Sequence, residues 1–251
     1  MTPAAMAVAA AGGHAEVLVH GRPRVAILAT GNELAPIGRD LGDDEIPDSN
    51  SVGLAAQGRE SGAEVRSFGI ARDELGDVVE HLRRALEWAH VVVVSGGVSV
   101  GAHDVVKEGF ATVGTVELWR IAVQPGKPLA FARTDEAVLF GLPGNPVSSF
   151  VTFELFVRPV LRRLSGHSDL IGRDTVTARL GEDVTKSANR RAFLRVRLER
   201  EAGETGLVAR LAGGQDSHVL SALAVADGLA IIPEDDDVLP AGSEVEVMRL
   251  R

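Results

Sequence analysis

Apolar residues form short continuous runs in the first two thirds of the chain and alternate with polar residues in the last third. The runs at 25–29 and 91–94 are bounded by proline, histidine, threonine or serine and glycine, which is typical of strands buried on both faces of a parallel sheet. Between them, Leu75, Val78, Val79, Leu82 and Leu86 recur at helical spacing and predict an amphipathic helix that Asp73 caps.

The other elements of this region follow from shorter patterns. We expect helices at 51–60, directly after Asp104, and at 146–164, and strands at 64–69, 116–123 and 137–140. Asn145 as N-cap and Pro146 at the first helical position mark the start of the last helix. Strands that alternate with helices predict an α/β domain with a mostly parallel sheet at residues 22–165.

The two ends of the chain have a different pattern. Residues 1–21 predict an Ala-rich helix, a stop at Gly12 and Gly13, and a strand at 16–19, and we interpret them as the remnant of a preceding domain. Residues 166–251 alternate apolar and polar positions at 175–180, 193–199, 207–211, 229–232 and 244–250. These segments are separated by turns rich in Gly, Asp and Pro, and they predict a small all-β domain, a barrel or a sandwich.

Composition and charge exclude several classes of function. The chain has no Cys, so disulfides, thiolate catalysis and Cys-based metal sites are excluded, which suits a cytoplasmic protein. No apolar run approaches the ~20 residues that span a bilayer. The net charge of −9 argues against nucleic acid or an anionic membrane as the main partner. An anionic ligand would therefore need local backbone N–H groups, a few cationic side chains or a metal ion.

Four segments fall where an open parallel sheet binds ligands, at the carboxyl ends of its strands. They are TGNEL at 30–34, SGGVSVGAHD at 95–104, QPGKP at 124–128 and GLPGNPVSS at 141–149. The second segment predicts either a phosphate cradle, with Asp104 holding a divalent cation, or a tight turn in which Asp104 is an N-cap. The fourth predicts either an oxyanion site at a helix start or an ordinary capped helix.

Single charged residues allow two readings each. Lys127 is a point charge on a stiff turn or a surface lysine, Glu33 is a metal ligand or a helix-dipole partner, and Asp48 is first of all a cap. The seven histidines show no metal-ligand spacing. We interpret Asp235, Asp236 and Asp237 as a solvated turn. The arginines at 190, 191, 195 and 197 could bind an anion, but their default interpretation is an exposed strand face.

Taken in this order, the segments resemble the MoeA and gephyrin E-domain family, the molybdopterin molybdenumtransferases. The resemblance runs from about residue 22 to the C-terminus and continues through Arg190 with Phe193 and GQDSH at 214–218. It implies a MogA-like three-layer α/β domain followed by a small β-barrel domain. It also implies a cytoplasmic enzyme that inserts molybdate into adenylylated molybdopterin with Mg²⁺-dependent release of AMP.

The resemblance also implies a role for each matching position. Glu33, Asp48 and Asp104 would be catalytic acids, and Glu33 and Asp104 would bind the metal. The pterin and its phosphate would contact Thr30, Gly31, Ser95, Gly96, Gly97, Ser99, Gly101 and Asn145. The molybdate pocket would consist of Lys127, Pro128, Ser149, Arg190 and Ser217.

Three features depart from the family pattern. Asn32 replaces a common acid, Gln124 stands where some relatives have Lys, and the two N-terminal domains of full-length relatives do not precede residue 22. The last departure implies either a homodimer or a separate chain that supplies those domains. Two alternatives stay open: a MogA-like adenylyltransferase, although the second domain argues against it and against CinA relatives, and a binding or scaffold module without turnover.

Overall fold

The computed structural model describes residues 1–97, 104–168, 172–201 and 206–251. In the first region of the chain, residues 1–165, a π-helical turn at Phe153–Val157 joins the last two helices into one continuous helical rod. The elements of that region are α1 (Pro3–Ala11), β1 (Arg24–Thr30), β2 (Leu34–Ala35), β3 (Ile46–Pro47), α2 (Ser49–Glu60), β4 (Glu64–Ala71), α3 (Leu75–Leu86), β5 (Val91–Ser95), α4 (Val105–Val113), β6 (Thr115–Arg120), β7 (Val123–Gln124), β8 (Pro128–Arg133), β9 (Val138–Leu142), α5 (Pro146–Thr152) and α6 (Arg158–Leu164).

A six-stranded sheet in the order β4-β1-β5-β9-β8-β6 forms the middle layer. The pairs β1–β4, β1–β5 and β5–β9 are parallel, whereas β8 is antiparallel to β9 and β6 is antiparallel to β8. The carboxyl ends of β1, β5 and β9 are therefore neighbours at one edge. The start of β8 reaches the same edge because β8 runs in the opposite direction.

Helices cover both faces of this sheet. Ala26 and Leu28 of β1 pack with Val78 and Phe110 on the side of α3 and α4. The alternate residues of β1 pack on the opposite side with Leu54 of α2 and with Phe153, Val157 and Leu161 of the last helical rod. Successive strand side chains point to opposite faces, so a strand with two covered faces is a continuous apolar run. The expected three-layer α/β fold is confirmed.

The last third of the chain forms a closed five-stranded barrel. Its strands lie in the order β13-β10-β16-β14-β12, and pairing of β12 with β13 closes the ring. The expected barrel-like domain is confirmed. The elements are β10 (Thr175–Leu180), β11 (Val184–Thr185), β12 (Arg191–Glu199), β13 (Val208–Leu211), α7 (Leu220–Val225), β14 (Gly228–Ile232), β15 (Val238–Leu239) and β16 (Glu244–Arg249).

Three strand predictions need correction. Residues 16–19 form no strand, and Val17, Leu18 and Val19 are exposed, because no described strand lies beside them. The single strand expected at 116–123 is two strands: β6 stays in the first sheet, whereas β7 leaves it and pairs in parallel with β12 of the barrel. Strand β8 was not predicted. Among the described residues, no helix has the length and apolar character needed to cross a bilayer.

Candidate functional site

Loops from three parallel strands meet at the carboxyl edge of the first sheet. The Gly96 N–H donates to the Leu142 carbonyl (3.2 Å), and the Gly31 N–H donates to the Ala71 carbonyl (3.3 Å). The amide of Asn50, at the start of α2, donates to Ser95 Oγ (2.8 Å) and to the carbonyl of Gly144 (2.7 Å). Three of the four segments singled out in the sequence thus lie against one another.

The turn after β5 has room only for glycine. Gly96 and Gly97 have positive φ values of +94° and +61°. A Cβ on Gly96 would overlap the Thr30 carbonyl, and one on Gly97 would lie 2.5 Å from Thr30 Oγ1 and 2.7 Å from Val106 Cγ2. Close backbone approach of this kind leaves N–H groups open to an anion. Ser99 and Gly101 of the same segment lie outside the described residues.

Buried hydroxyls line this turn. Thr30 Oγ1 is buried and has no hydrogen-bond partner within the described part of the chain. Ser95 Oγ and Ser149 Oγ lie 3.5 Å apart, and both side chains are buried. Because buried polar atoms in proteins are nearly always hydrogen-bonded, the orphan hydroxyl of Thr30 is a donor available to a ligand at the turn.

Two of the three candidate acids are helix caps. Asp48 Oδ1 accepts from the Ser51 N–H (3.0 Å) at the start of α2, and Asp104 Oδ1 accepts from the Lys107 N–H (2.9 Å) at the start of α4. Both side chains are buried. Capping uses one oxygen of a carboxylate, which has a second oxygen that can also accept hydrogen bonds. The capping interpretation of Asp48 and Asp104 is therefore correct, and it does not exclude a second role.

Glu33 differs from the two buried acids because it is exposed. Its side chain folds back over Gly31, where an added Cβ would lie 2.9 Å from both carboxylate oxygens. An open cleft of about 600 Å³ lies beside this loop. Gly31 and Asp48 line it together with the apolar side chains of Leu34, Ile37, Val52 and Ile70.

Asp73 is a carboxylate at this edge that the sequence reading misassigned. The N-cap position of α3 belongs to Glu74, whose side chain makes no capping bond. Asp73 instead pairs with Asn32: Asp73 Oδ2 accepts from the Asn32 N–H (3.4 Å), and the Asp73 N–H donates to Asn32 Oδ1 (3.2 Å). The available signal was its position just after the parallel strand β4, beside the loop that follows β1.

The segment at 124–128 lies between β7 and β8 at the same edge. Gly126 has φ +114°, and a Cβ there would lie 2.5 Å from Thr152 Cγ2 of α5. The Lys127 side chain is exposed and has no partner among the described residues, whereas its carbonyl accepts from the Ile121 N–H (3.1 Å). The segment is therefore pressed against α5, next to the half-buried Pro128, with a free cation at its tip.

The barrel reaches this edge through Ser217. Asn145 Nδ2 donates to Ser217 Oγ (2.8 Å), and the Val147 N–H donates to the Ser217 carbonyl (3.0 Å). Asn145 occupies the N-cap position of α5 but makes no side-chain capping bond. The predicted N-cap position of Asn145 is confirmed, and its side chain holds the barrel loop instead of a backbone N–H of the helix.

A second connection between the two regions brings Arg190 close. Strand β7 pairs with β12 in the register Val123 to Arg191, and Gln124 Oε1 accepts from the Ser187 N–H (3.0 Å). Arg190 therefore lies beside the start of the segment that carries Lys127. Its half-buried side chain makes no hydrogen bond or ion pair with a described residue.

Arg195 corrects the expectation of an exposed strand face. Its side chain is 0% exposed, whereas Arg191 and Arg197 on the same strand are exposed. Arg195 Nη2 donates to the carbonyls of Gly214 (2.8 Å) and Asp216 (3.0 Å). Burial lowers the pKa of this guanidinium, and the Asp216 charge partly opposes that shift. Arg195 thus holds the loop that places Ser217 against α5.

The same loop is fixed by Gln215, to which the sequence analysis gave no role. The Arg195 N–H donates to Gln215 Oε1 (2.9 Å), and Gln215 Nε2 donates back to the Arg195 carbonyl (3.1 Å) and to the Gly213 carbonyl (2.9 Å).

The acidic run expected to form a solvated turn does so. Asp235, Asp236 and Asp237 lie exposed at a turn.

Two family models match the chain. The model described as a probable molybdopterin binding domain matches residues 26–163, and the model of the MoeA C-terminal region (domain IV) matches residues 177–250. Together they include every candidate residue named above.

Similar proteins cover the whole chain. Molybdopterin molybdenumtransferase 2 of Mycobacterium tuberculosis is 39% identical over 100% of this chain and 62% of its own length. Molybdopterin molybdenumtransferase of Nostoc sp. is 34% identical over 100% of this chain and 58% of its own length. A crystal structure of a MoeA protein from Pyrococcus horikoshii superimposes with a TM-score of 0.85 at 33% identity, covering 100% of this chain and 60% of the other. The chain thus spans less than two thirds of these relatives.

Proposed function

Because the chain belongs to the MoeA family of molybdopterin molybdenumtransferases, we propose that it inserts molybdate into adenylylated molybdopterin and releases AMP. The observation that carries this proposal is the meeting of the two regions at Asn145 and Ser217. It brings the hydroxyl of the barrel loop to the start of α5, where the glycine turn and the buried serines already lie. Residues 22–165 would bind the pterin substrate, and residues 166–251 would complete the molybdate pocket.

The pterin phosphate would bind at the glycine turn. The backbone N–H of Gly97, the orphan hydroxyl of Thr30 and the helix start at Asn145 are donors suited to a phosphate. The adjoining cleft of about 600 Å³ offers apolar walls beside Gly31. Such walls suit a flat heteroaromatic ring, because pockets combine apolar surface with a few placed polar groups.

Molybdate would bind at the seam between α5 and the barrel. It is a tetrahedral dianion and needs cationic and hydroxyl donors, as phosphate does. Lys127 and Arg190 have no described partner that would neutralise them. Ser149 and Ser217 supply hydroxyls from the two sides of the seam, and Pro128 stiffens the segment that carries Lys127.

The acidic residues fit a Mg²⁺ ion that is bound together with a phosphate. Mg²⁺ usually takes one or two carboxylates and completes its shell with water and phosphate oxygens. Glu33 lies over Gly31, and Asp104 begins the helix whose Val106 contacts the glycine turn. The described residues contain no group of three or more His, Cys, Asp or Glu side chains that could hold a metal alone. When bound, Mg²⁺ would stabilise charge on the phosphate that leaves with AMP.

The roles of the protein side chains follow from their chemistry. Asp104 and Glu33 would hold the cation, and Asp48 would orient the start of α2 and with it Asn50. Lys127, Arg190 and the serines would orient molybdate toward the pterin. Catalysis would consist mainly of positioning and electrostatic stabilisation, since phosphoryl chemistry needs little covalent help from a protein.

A second candidate function is a molybdopterin-binding or scaffold module without turnover. The activity named for the relatives belongs to whole proteins, of which this chain matches about 60% of the length. In that case a homodimer or a separate chain would supply the remaining part of the site. A MogA-like adenylyltransferase is less well supported, because the barrel and Ser217 form part of the same edge. We propose a cytoplasmic location for each of these functions.

The experiment that separates these functions is AMP release from adenylylated molybdopterin by the purified chain. We expect release to require both Mg²⁺ and molybdate and to saturate with molybdate. Saturable molybdate binding without AMP release would support the binding module. Formation of adenylylated molybdopterin from molybdopterin and ATP, with release of pyrophosphate and without need for molybdate, would support the adenylyltransferase and refute the proposed function.

A further inference from the structure

A cleft on another side of the molecule concentrates positive charge in an otherwise acidic protein. It has a volume of about 470 Å³ and lies between α6, the segment before β10 and the end of β16. We call this cavity the arginine cleft, because five of its seven lining residues are arginines: Arg158, Arg162, Arg173, Arg249 and Arg251. The net charge of the chain is −9, so the positive charge of the cleft is opposite in sign to that of the whole protein.

The cleft is separate from the proposed catalytic edge. Arg162 lies thirteen residues beyond Ser149 on the same helical rod, which corresponds to about 20 Å at a helical rise. One wall of the cleft is held by a backbone bond within the barrel region: the Arg249 N–H donates to the Asp174 carbonyl (2.9 Å). The position of the cleft is therefore fixed by the fold.

Part of the positive charge is already neutralised. Arg173 binds Glu154 (2.6 Å) and Glu60 (2.9 Å), and its Nη1 donates to the Leu250 carbonyl (3.0 Å). Arg251 pairs with Asp227 (3.1 Å). Arg173 thus connects the barrel region to the first region, and Arg251 makes an ion pair within the barrel region. The role of both arginines is structural.

The remaining arginines have unused donors. Arg158 Nε lies 3.8 Å from Glu154, which also pairs with Arg173, and this buried Nε makes no hydrogen bond with a described residue. Arg162 Nε is also buried without a partner, and neither Arg162 nor Arg249 makes a side-chain bond or ion pair with any described residue. Burial lowers the pKa of Arg158, and the nearby charge of Arg173 lowers it further. Arg158 and Arg162 are half-buried and Arg249 is exposed, and the buried Nε donors of the first two need an acceptor.

We propose that the arginine cleft binds a tetrahedral oxyanion, the phosphate group of a small molecule. Guanidinium groups match phosphate oxygens with paired N–H donors. The volume lies within the range of small-ligand pockets, so a phosphate and the group that bears it can enter. Asp174 is the one acid among the lining residues. Its negative charge repels an anion, so we expect the anion to bind on the side of the cleft away from Asp174. The net charge of −9 disfavours a nucleic acid backbone.

The test is titration of the full chain with inorganic phosphate, measured by calorimetry at constant ionic strength. The variant R162Q/R249Q removes the two unpaired cations and leaves the ion pairs of Arg173 intact. The control R84Q/R163Q removes the same charge from exposed positions that do not line the cleft. We expect affinity for phosphate to fall at least about tenfold in the first variant and to stay unchanged in the control, because each lost bond joined two charged groups.

Three results would overturn the proposal: no saturable binding by the unaltered chain, equal losses in both double variants, or loss of binding on Lys127→Ala. The last would place phosphate in the proposed molybdate pocket. Circular dichroism and thermal unfolding in phosphate-free buffer check that each variant folds. If R162Q/R249Q does not fold, R249Q alone gives the same test, because Arg249 is exposed at a strand end.

Discussion

Replacing Asp104 by asparagine separates its two possible roles. As a cap, Asp104 accepts the Lys107 N–H at 2.9 Å, and asparagine is an equally good N-cap residue. What is lost is the charge, which contributes about 0.3–1 kcal/mol through the helix dipole. We therefore expect Asp104→Asn to lower the free energy of unfolding by less than about 1 kcal/mol. Asp104→Ala also removes the cap and should lower the free energy of unfolding by about 0.5–2 kcal/mol more.

The two variants should differ in stability but lose similar amounts of activity. If Asp104 holds Mg²⁺, both variants lose a charged ligand, and AMP release should fall by roughly 100-fold or more in each. The assays are Mg²⁺-dependent AMP release for activity and urea unfolding for stability. Asp40→Asn is the control, because it removes one charge from an exposed loop position. Unchanged turnover in Asp104→Asn would refute the metal role and leave the residue as a cap only.

Three further predictions test the glycine turn and the seam. Lys127→Ala should weaken molybdate binding more than AMP binding, because the side chain has no described partner; equal losses in equilibrium binding would contradict the pocket assignment. Gly97→Ala should lower stability by more than about 1 kcal/mol in thermal unfolding, because φ is +61° and the added Cβ overlaps two side chains. Gly53→Ala, in open space on α2, should not destabilise the chain. Arg195→Met should raise the KM for molybdate without unfolding the barrel, since it frees the loop that places Ser217; an unchanged KM would show that the loop holds its position alone.

The part of the fold that sequence pattern predicts well is the central sheet. Residues 25–29 and 91–94 are apolar at every position because helices cover both faces of those strands. The caps Asp48 and Asp104 were also identified correctly, because capping depends on a residue and its next three neighbours. Both features are local, and local patterns are the information that a single sequence contains.

Contacts between the two regions could not be predicted in the same way. On β12, Phe193, Arg195 and Arg197 share one face, which alternation assigns to solvent. Phe193 instead packs on Val147 and Val151 of α5, and the loop at 213–217 covers Arg195, whereas Arg197 stays exposed. The alternating pattern shows that a strand has two faces, but it does not show what covers the second one.

The same limit explains why the proposed site needed the structure. Lys127, Arg190 and Ser217 lie on three separate segments, and no spacing in the sequence relates them. Their arrangement depends on the pairing of β7 with β12 and on the bond from the Val147 N–H to the Ser217 carbonyl. Both are backbone interactions, and the loop that carries Ser217 is further held by Arg195 and Gln215, which are not among the proposed pocket residues. The geometry of the pocket is therefore a property of the fold, and the side chains that project into it can be altered one at a time to test their chemistry.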